Sequence, residues 1–238
     1  AQGGIRDVEY LIDIFGLGLN YIKKSDSEIN IGATTILSDL KSSLSKTKGL
    51  EAIIDAINGI EIPQVLNQAT VGGAICSGVP FYDLPVALLA LNAKVKVASS
   101  VGERVLPLNE FFVYYFVTAL AQDEIVTEVT LPLSSNSGSA FKKIGRSSVD
   151  FSVVNAAASV KLEDNEIADI RVAIGGVAST PMLAKDVEEA LRGKIVSMET
   201  ITKAVEALRQ IEPTPTLFAS SNYKKKVLPI IVRDVIVS

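Results

Sequence analysis

A short segment rich in serine, asparagine, glycine and proline divides the chain into two parts with different patterns. It runs from Pro132 to Gly138 and has the composition of a linker. Before it, strand-like and helix-like segments alternate, whereas after it two strand-like segments are followed by three helical ones. This order predicts an α+β protein. We therefore expect a first domain at residues 1–133 and a smaller second domain at residues 139–238.

The first part predicts a series of strand–helix units. The predicted strands are rich in β-branched or aromatic residues, or alternate in polarity, and they are Val8 to Phe15, Ile29 to Thr35, Lys94 to Ala98, Arg104 to Pro107 and Asp123 to Leu131. The predicted helices have one apolar face or a proline in the first turn, and they are Thr35 to Leu44, Lys48 to Ile60 and Pro85 to about Leu91. We expect Glu61 to Phe81 to be irregular, and Leu108 to Tyr115 to be a helix or a loop.

The second part predicts a small antiparallel sheet covered by helices. Its strands are Ser152 to Leu162 and Glu166 to Val177, which a hairpin turn at Glu163-Asp164-Asn165 can join. The predicted helices are separated by Gly193 and by two prolines, and they are Leu183 to Leu191, Met198 to Arg209 and Leu217 to Ile236. The last of them contains Lys224, Lys225 and Lys226, which are expected on a solvated face.

Missing residue types exclude several kinds of chemistry. The chain has no histidine, no tryptophan and one cysteine, Cys76. Disulfides, iron–sulfur clusters ligated by this chain and nearly all His/Cys zinc sites are thereby excluded, so no metal site is expected. Catalysis that depends on a histidine base is also excluded, and no catalytic residue is identified. Any redox chemistry must come from a bound organic cofactor.

Charge and hydropathy indicate the expected partners and location of the protein. The formal net charge is -4, from 23 basic and 27 acidic residues, and the basic residues are not clustered, so nucleic acid is not an expected partner. The longest apolar run, Pro85 to Leu91, is far shorter than the roughly 18 residues of a membrane span. Because no signal-peptide pattern is found either, we expect a cytoplasmic protein without a membrane span.

One glycine-containing segment has a pattern typical of ligand binding. In Thr70-Val71-Gly72-Gly73, the absence of two Cβ atoms would let main-chain N–H groups approach a ligand, although paired glycines also occur in tight turns. Asp83 follows at the expected N-cap of the next helix. Cys76 lies between them and is either close to a ligand or a small buried hydrophobic residue. From the residues alone, both interpretations stay open.

The stretch from Pro63 to Leu91 resembles the medium subunits of molybdenum hydroxylases, the family of carbon monoxide, xanthine and aldehyde dehydrogenases. In that family the sequence motif is approximately P-Q-V-R-N-x-G-T-[IV]-G-G-N-[IL], followed by D-L-P-x-x-L-L-A-L. This chain matches most of the motif. The resemblance covers nearly the whole chain, through Leu106-Pro107-Leu108, Asp123-Glu124-Ile125-Val126, Ala140 to Arg146, Val153 to Ala157 and Ile174 to Ala178.

The resemblance implies an FAD-binding domain of the vanillyl-alcohol-oxidase-like type at residues 1–133, covered by a C-terminal flavoprotein domain at residues 139–238. It also implies the residues that bind FAD. These are a cofactor loop, a carboxylate that accepts hydrogen bonds from FAD, two apolar residues that pack on it and a lysine that contacts the flavin, namely Thr70, Val71, Gly72, Gly73, Ala74, Asp83, Ile125, Val126 and Lys142.

The chain also departs from the family pattern. The family's asparagine after the glycine pair is Ala74 here, and its Y-R-K-T segment is replaced by Tyr115-Phe116-Val117-Thr118, which removes a basic pair. The family has a first lobe with an A-G-G-T-D-like loop, whereas Gly3-Gly4 matches the segment just after it. The resemblance thus implies a chain truncated at its N-terminus, with the first lobe missing.

The resemblance implies an electron-transfer subunit of a hetero-oligomer. Its FAD would accept electrons from iron–sulfur clusters on a small partner subunit and pass them to an external acceptor, while a large partner subunit would hold the molybdenum cofactor. Two alternatives stay open. One is a standalone flavin oxidoreductase of similar fold, and the other is a structural subunit that has lost its cofactor.

Overall fold

The computed structural model describes residues 9–134, 136–147 and 149–238. Gly3-Gly4 and Val8, the first residue of the first predicted strand, lie outside this range. Within it the predicted α+β class is confirmed, because all strand pairs in the two larger sheets are antiparallel and helices pack beside both sheets.

The first sheet has five described strands in the spatial order β1-β2-β7-β3-β4. A short hairpin of β5 and β6 lies apart from it. In chain order, these strands are β1 (Ile22–Lys24), β2 (Glu28–Gly32), β3 (Lys94–Ser99), β4 (Gly102–Pro107), β5 (Phe112–Tyr114), β6 (Val117–Thr118) and β7 (Ile125–Pro132).

Six helices accompany this sheet among the described residues. They are α1 (Leu37–Leu44), α2 (Glu51–Asn58), α3 (Pro63–Leu66), α4 (Val71–Cys76), α5 (Asp83–Ala90) and α6 (Leu108–Phe111). All eight residues of α5 are buried, which agrees with its apolar composition and places this helix in the centre of the molecule.

The second sheet has four described strands in the order β11-β10-β9-β8, with helices packed against it. Its strands are β8 (Ser137–Ile144), β9 (Val154–Glu163), β10 (Glu166–Gly175) and β11 (Met182–Leu183). Its helices are α7 (Lys185–Leu191), α8 (Met198–Val205) and α9 (Ser221–Val237), with a 3₁₀ turn at Glu206–Gln210.

The predicted hairpin between β9 and β10 is confirmed. Glu163 pairs with Glu166, so the turn has two residues, Asp164 and Asn165. Their φ angles are 50° and 65°. Two successive left-handed residues form the turn that matches the twist of antiparallel strands, and Asp and Asn tolerate this conformation well.

Three predictions for the first part need correction. Residues 9–14 of the first predicted strand are not a strand, because side chains such as Leu11, which is 97% exposed, have no strand to pack on among the described residues. The segment Glu61 to Phe81 is not wholly irregular, since it contains α3 and α4. In β7 the predicted alternation is interrupted by a bulge at Thr127, so that Val126 and Val129 are both buried.

The expected solvated face at Lys224 is also wrong. Lys224 is only 1% exposed, and its ammonium donates to the carbonyl oxygens of Gly176 at 2.6 Å and Thr214 at 2.9 Å. Burial lowers the pKa of this ammonium. Lys224 therefore ties α9 to the loop that follows β10.

The two parts of the chain pack closely on each other. Helices α2 and α5 from the first part contact β8, β9 and β10 of the second sheet. Buried residues of the second sheet, including Phe141, Ala157 and Ala173, belong to the apolar core of the first part. The division at residues 133 and 139 stays a prediction, but the contact between the parts fixes where a shared cleft can form.

Candidate cofactor-binding cleft

A cleft of about 660 Å³ lies where the two parts meet. Thr70, Gly73, Ala74 and Ser77 line one side, which we call the helix wall because it is formed at α4. Lys143, Val149, Asp150 and Phe151 line the other side, which we call the strand wall because it is formed by the end of β8 and the loop after it. Asp83, at the start of α5, also lines the cleft.

The peptide nitrogens of the helix wall are bonded within the chain. Thr70 is the N-cap of α4, and its side chain accepts from the N–H of Gly73 at 3.0 Å. The remaining nitrogens donate to backbone oxygens, Val71 to Thr35 (3.0 Å), Gly72 to Ala33 (2.8 Å) and Ala74 to Thr70 (2.9 Å).

This bonding corrects the expectation that a loop presents its N–H groups to a ligand. The segment instead begins a short helix that is hydrogen-bonded to the turn directly after β2. Thr70, Gly73 and Ala74 still line the cleft, whereas Val71 and Gly72 are buried behind them.

The two glycines have different surroundings. A Cβ atom on Gly72 would lie 2.8 Å from both the Cβ and the carbonyl oxygen of Ala33, so Gly72 allows close packing of α4. A Cβ atom on Gly73 would meet only the Thr70 hydroxyl, at 3.0 Å. Gly73 is exposed, and it is the glycine that leaves room in the cleft.

Asp83 is buried and fully engaged by polar groups. It is the first residue of α5, and the N-cap is Tyr82, so its predicted N-cap position is wrong by one residue. Its Oδ1 accepts from the hydroxyl of Ser152 at 2.5 Å and from the side-chain amide of Asn155 at 2.8 Å. Its Oδ2 lies 3.3 Å from the ammonium of Lys143.

The structure places Lys143, and not Lys142, in the cleft. Successive side chains of a strand point to opposite faces, so the two lysines of β8 must diverge. Lys142 donates to the carbonyl oxygen of Asp234 at 3.0 Å, near the end of α9. Lys143 donates to the carbonyl oxygens of Gly59 (2.6 Å) and Asp150 (3.3 Å).

Three aromatic side chains form an apolar cluster beside these charges. The rings of Tyr82 and Phe151 stack with centroids 5.5 Å apart and an interplanar angle of 22°, and Phe81 lies 5.6 Å from Phe151. All three line the cleft. Phe151 is 64% exposed although it is aromatic and apolar, so its outer surface is available to a planar ligand.

The remaining sequence candidates lie elsewhere. Ile125 pairs with Ala98 in the first sheet, and Val126 belongs to the core beneath it; neither lines the cleft. Cys76 packs against the same core, which favours its interpretation as a small buried hydrophobic residue. Burial raises the pKa of its thiol to about 11.

The sequence did not identify Lys143, Ser152, Asn155 or Phe151 as site residues. No local signal separates Lys143 from Lys142, because each lies two residues after a buried residue of β8, Phe141 or Ala140. Ser152 and Asn155 come from the second part and reach Asp83 only through tertiary packing. No local pattern could have predicted that contact.

The donor set of the cleft fits a flavin. A planar heteroaromatic ring needs an apolar surface and hydrogen-bonding groups at its edge, which the aromatic residues and Lys143 provide. The hydroxyl of Thr70 and the open space at Gly73 fit the polar chain attached to such a ring. Fold and cleft together are those expected of a flavin-binding protein.

Comparisons with known proteins identify the family. Residues 2–134 match the model of the FAD binding domain in molybdopterin dehydrogenase, and residues 139–237 match that of the CO dehydrogenase flavoprotein C-terminal domain. The glyceraldehyde dehydrogenase medium chain of Sulfolobus acidocaldarius is 33% identical over 94% of this chain and 80% of that protein. The carbon monoxide dehydrogenase medium chain of Hydrogenophaga pseudoflava is 31% identical over 91% of this chain and 76% of its own length.

The structural comparison agrees with these matches. A solved structure of the carbon monoxide dehydrogenase from Hydrogenophaga pseudoflava superposes with a TM-score of 0.87 at 29% identity, covering 92% of this chain and 77% of that one. This chain therefore belongs to the FAD-binding medium subunits of the molybdenum hydroxylases, a family of oxidoreductases. The predicted family, fold type and FAD cofactor are thereby confirmed. Among the described residues, no helix is long and apolar enough to cross a membrane.

Proposed function

We propose that this chain transfers electrons through FAD, from iron–sulfur clusters on a small partner subunit to an external acceptor. A large partner subunit would hold the molybdenum cofactor, where hydroxylation takes place. The observation that carries the proposal is the cleft, which combines an aromatic surface with an ion pair between the partly buried Lys143 and the buried Asp83. Support also comes from relatives that are medium chains or subunits of dehydrogenase complexes. We propose the cytoplasm as the location.

The proposal assigns separate tasks to the residues of the cleft. The bound flavin would supply the redox chemistry, because its ring accepts and releases electrons. Lys143 would place positive charge at the edge of the ring and favour negative charge there. Asp83 would hold the ammonium of Lys143 in place, and Phe151 would cover one face of the ring and exclude water.

The binding residues proposed from this geometry are Thr70, Gly73, Ala74, Asp83 and Lys143. Val71 and Gly72 would act indirectly, by shaping the helix wall. For Ile125, Val126 and Lys142, contact with FAD stays a prediction from the family resemblance.

Flavin binding by matched lysine variants tests the proposal. Titration of the full chain with FAD should give saturable binding, seen as a change in flavin fluorescence. Lys143→Met should weaken binding about tenfold, the loss of one charge-assisted hydrogen bond, and lower the flavin midpoint potential by about 30 mV. Lys142→Met is the matched comparison: the geometry of the cleft predicts that both values stay unchanged, whereas the family resemblance predicts a loss. The proposed cleft is wrong if Lys142→Met has the larger effect.

One observation favours the alternative of a cofactor-free structural subunit. The N–H groups of Val71, Gly72, Gly73 and Ala74 are all bonded within the chain. Denaturing the protein isolated from its host distinguishes the two functions. Release of one FAD per chain supports electron transfer, whereas absence of flavin together with absence of FAD binding in the titration supports the structural role.

A further inference from the structure

Strand β8 is an edge strand whose outer side is occupied by a helix. Within the described part of the chain it pairs only with β9, so alternate N–H groups have no strand partner on the other side there. Helix α2 from the first part of the chain packs along this free edge. The question is which groups complete the hydrogen bonding of β8.

Two carboxylates of α2 accept the outward N–H groups. Glu51 accepts from the N–H of Ser139 at 3.2 Å, and Asp55 accepts from the N–H of Phe141 at 3.3 Å. The hydroxyl of Ser139 adds a bond to the carbonyl oxygen of Gly49 and accepts from the N–H of Ala52. The side chains of α2 thus do for β8 what a neighbouring strand would otherwise do.

The contacts repeat in register along both elements. Glu51, Asp55 and Gly59 are four residues apart on α2 and its C-cap, which corresponds to about 6 Å per step. Ser139, Phe141 and Lys143 are two residues apart on β8, which corresponds to about 7 Å per step. The near equality of the two steps lets each residue of the helix meet one residue of the strand.

The third contact in this series belongs to the cleft. Lys143 donates to the carbonyl oxygen of Gly59 at the end of α2, and the same ammonium lies 3.3 Å from Asp83. A slip of β8 by one residue would put the side chain of Lys142 in its place and turn Lys143 away. The register between helix and strand therefore decides which lysine faces the cleft.

We propose that Glu51 and Asp55 are positioning residues, which hold β8 on α2 and thereby place the ammonium of Lys143 in the cofactor cleft. The part of this proposal that concerns the flavin rests on the proposed function, whereas the part that concerns the placement of β8 does not. The pKa of the Asp55 carboxyl is raised, mainly by burial. The hydrogen bond from the N–H of Phe141 and the charge of Lys142 lower this pKa, whereas the charge of Glu51 raises it further. Asp55 is thus partly withdrawn from water. A hydrogen bond that it accepts is stronger there than it would be in water.

Amide exchange and lysine labelling test the structural part without any flavin. Asp55→Ala should speed exchange of the Phe141 amide at least tenfold and increase acylation of Lys143 several-fold relative to the exposed Lys226, both read by mass spectrometry or NMR. Asp55→Asn keeps an acceptor oxygen and should restore values close to those of the unchanged protein. Glu51→Ala and Glu51→Gln should behave in the same way at Ser139. Unchanged exchange and labelling in both alanine variants would overturn the proposal.

A double-mutant comparison tests the link to the flavin. Asp55→Ala should weaken FAD binding and lower the midpoint potential in the same direction as Lys143→Met, and the combined variant should be no worse than Lys143→Met alone. Additive effects would show that Asp55 does not act through Lys143. If the unchanged protein binds no FAD, the proposed function fails, but the exchange and labelling results still decide whether Glu51 and Asp55 position β8.

Discussion

The two walls of the cleft differ in how they are built. The helix wall at α4 consists of small neutral residues, and the N–H groups of Gly73, Ala74 and Ser77 are already bonded within the chain. The strand wall carries a cation, Lys143, and an exposed aromatic ring, Phe151. One wall therefore contributes shape, while the other contributes charge and ring contact.

This difference indicates how the family motif works in this chain. The glycine pair is the most recognisable part of the sequence, but Gly72 serves packing and only Gly73 borders the cleft. The electrostatics come from Asp83 and Lys143, which belong to different parts of the chain. Substitutions on the two walls should therefore have different effects on the free energy of unfolding and on FAD binding.

The largest effect is expected from breaking the buried charge pair. Asp83→Ala removes the partner of Lys143 and of two further donors, Ser152 and Asn155, and should lower the free energy of unfolding by about 3–5 kcal/mol. Asp83→Asn keeps an acceptor and should cost less than half as much. Urea denaturation followed by circular dichroism measures both values. Equal losses in the two variants would mean that the charge of Asp83, and not its acceptor oxygen, accounts for the stabilisation.

The next largest effect distinguishes the two glycines of the helix wall. Gly72→Ala forces a Cβ against Ala33 and should lower the free energy of unfolding by about 1–3 kcal/mol. Gly73→Ala should change it by less than about 0.5 kcal/mol, because it replaces glycine in a helix and meets only the Thr70 hydroxyl. Thermal melting and FAD titration together check this difference. Gly73→Ala should lower the affinity for FAD by a larger free energy than it lowers the free energy of unfolding. The reverse ranking in the melting experiment would contradict the separate roles.

A smaller effect is expected from the loop of the strand wall. The guanidinium of Arg146 lies 3.9 Å from the centroid of the Phe218 ring, and its Nε is 3.1 Å from Asp150. Because Arg146 is about half exposed, Arg146→Gln should cost only about 0.5–1 kcal/mol. Lys226→Gln, on the exposed side of α9, serves as a control in the same urea denaturation. A loss above about 2 kcal/mol would mean that this loop is held more tightly than the contacts suggest.

The mildest test changes no residue and concerns Cys76, behind the helix wall. Its pKa of about 11 lies above the ordinary 9.0, so at pH 8 the folded chain should hold about a hundredfold less thiolate than the unfolded chain. Alkylation of the folded protein should be slower by at least this factor. For the same reason the folded state should lose stability as the pH rises from about 9 to about 11, since the unfolded thiol ionises first. Equal alkylation rates for folded and unfolded protein would show that Cys76 is accessible.

Elements with a strong local signal could be predicted from the sequence. The apolar faces of α1 and α2 and the Asp164-Asn165 turn all appear close to their predicted positions. Helices α3 and α4 were not predicted, because four and six residues are too short to show helical periodicity and α4 contains two glycines. Neighbouring structure, not propensity, makes α4 a helix.

The candidate site could be predicted only in part. Resemblance led to Asp83 and the glycine segment, and both border the cleft. It also led to Lys142, whereas the structure brings Lys143 to Asp83. Two adjacent lysines on a strand have the same local signal, and the register of β8 on α2 decides between them. That register is a tertiary property, which is why the pattern of β8 alone leaves the choice open.

The buried Lys224 has a consequence for the aromatic residues of the cleft. Its ammonium binds the carbonyl oxygen of Gly176, and the N–H of Gly176 donates to the carbonyl oxygen of Pro80 at 2.9 Å, directly before Phe81. Gly176 thus links the carboxy-terminal helix to the aromatic residues of the cleft through its two adjoining peptide groups. A force on the outer side of that helix would therefore be transmitted to the mouth of the cleft without direct contact at the cleft itself.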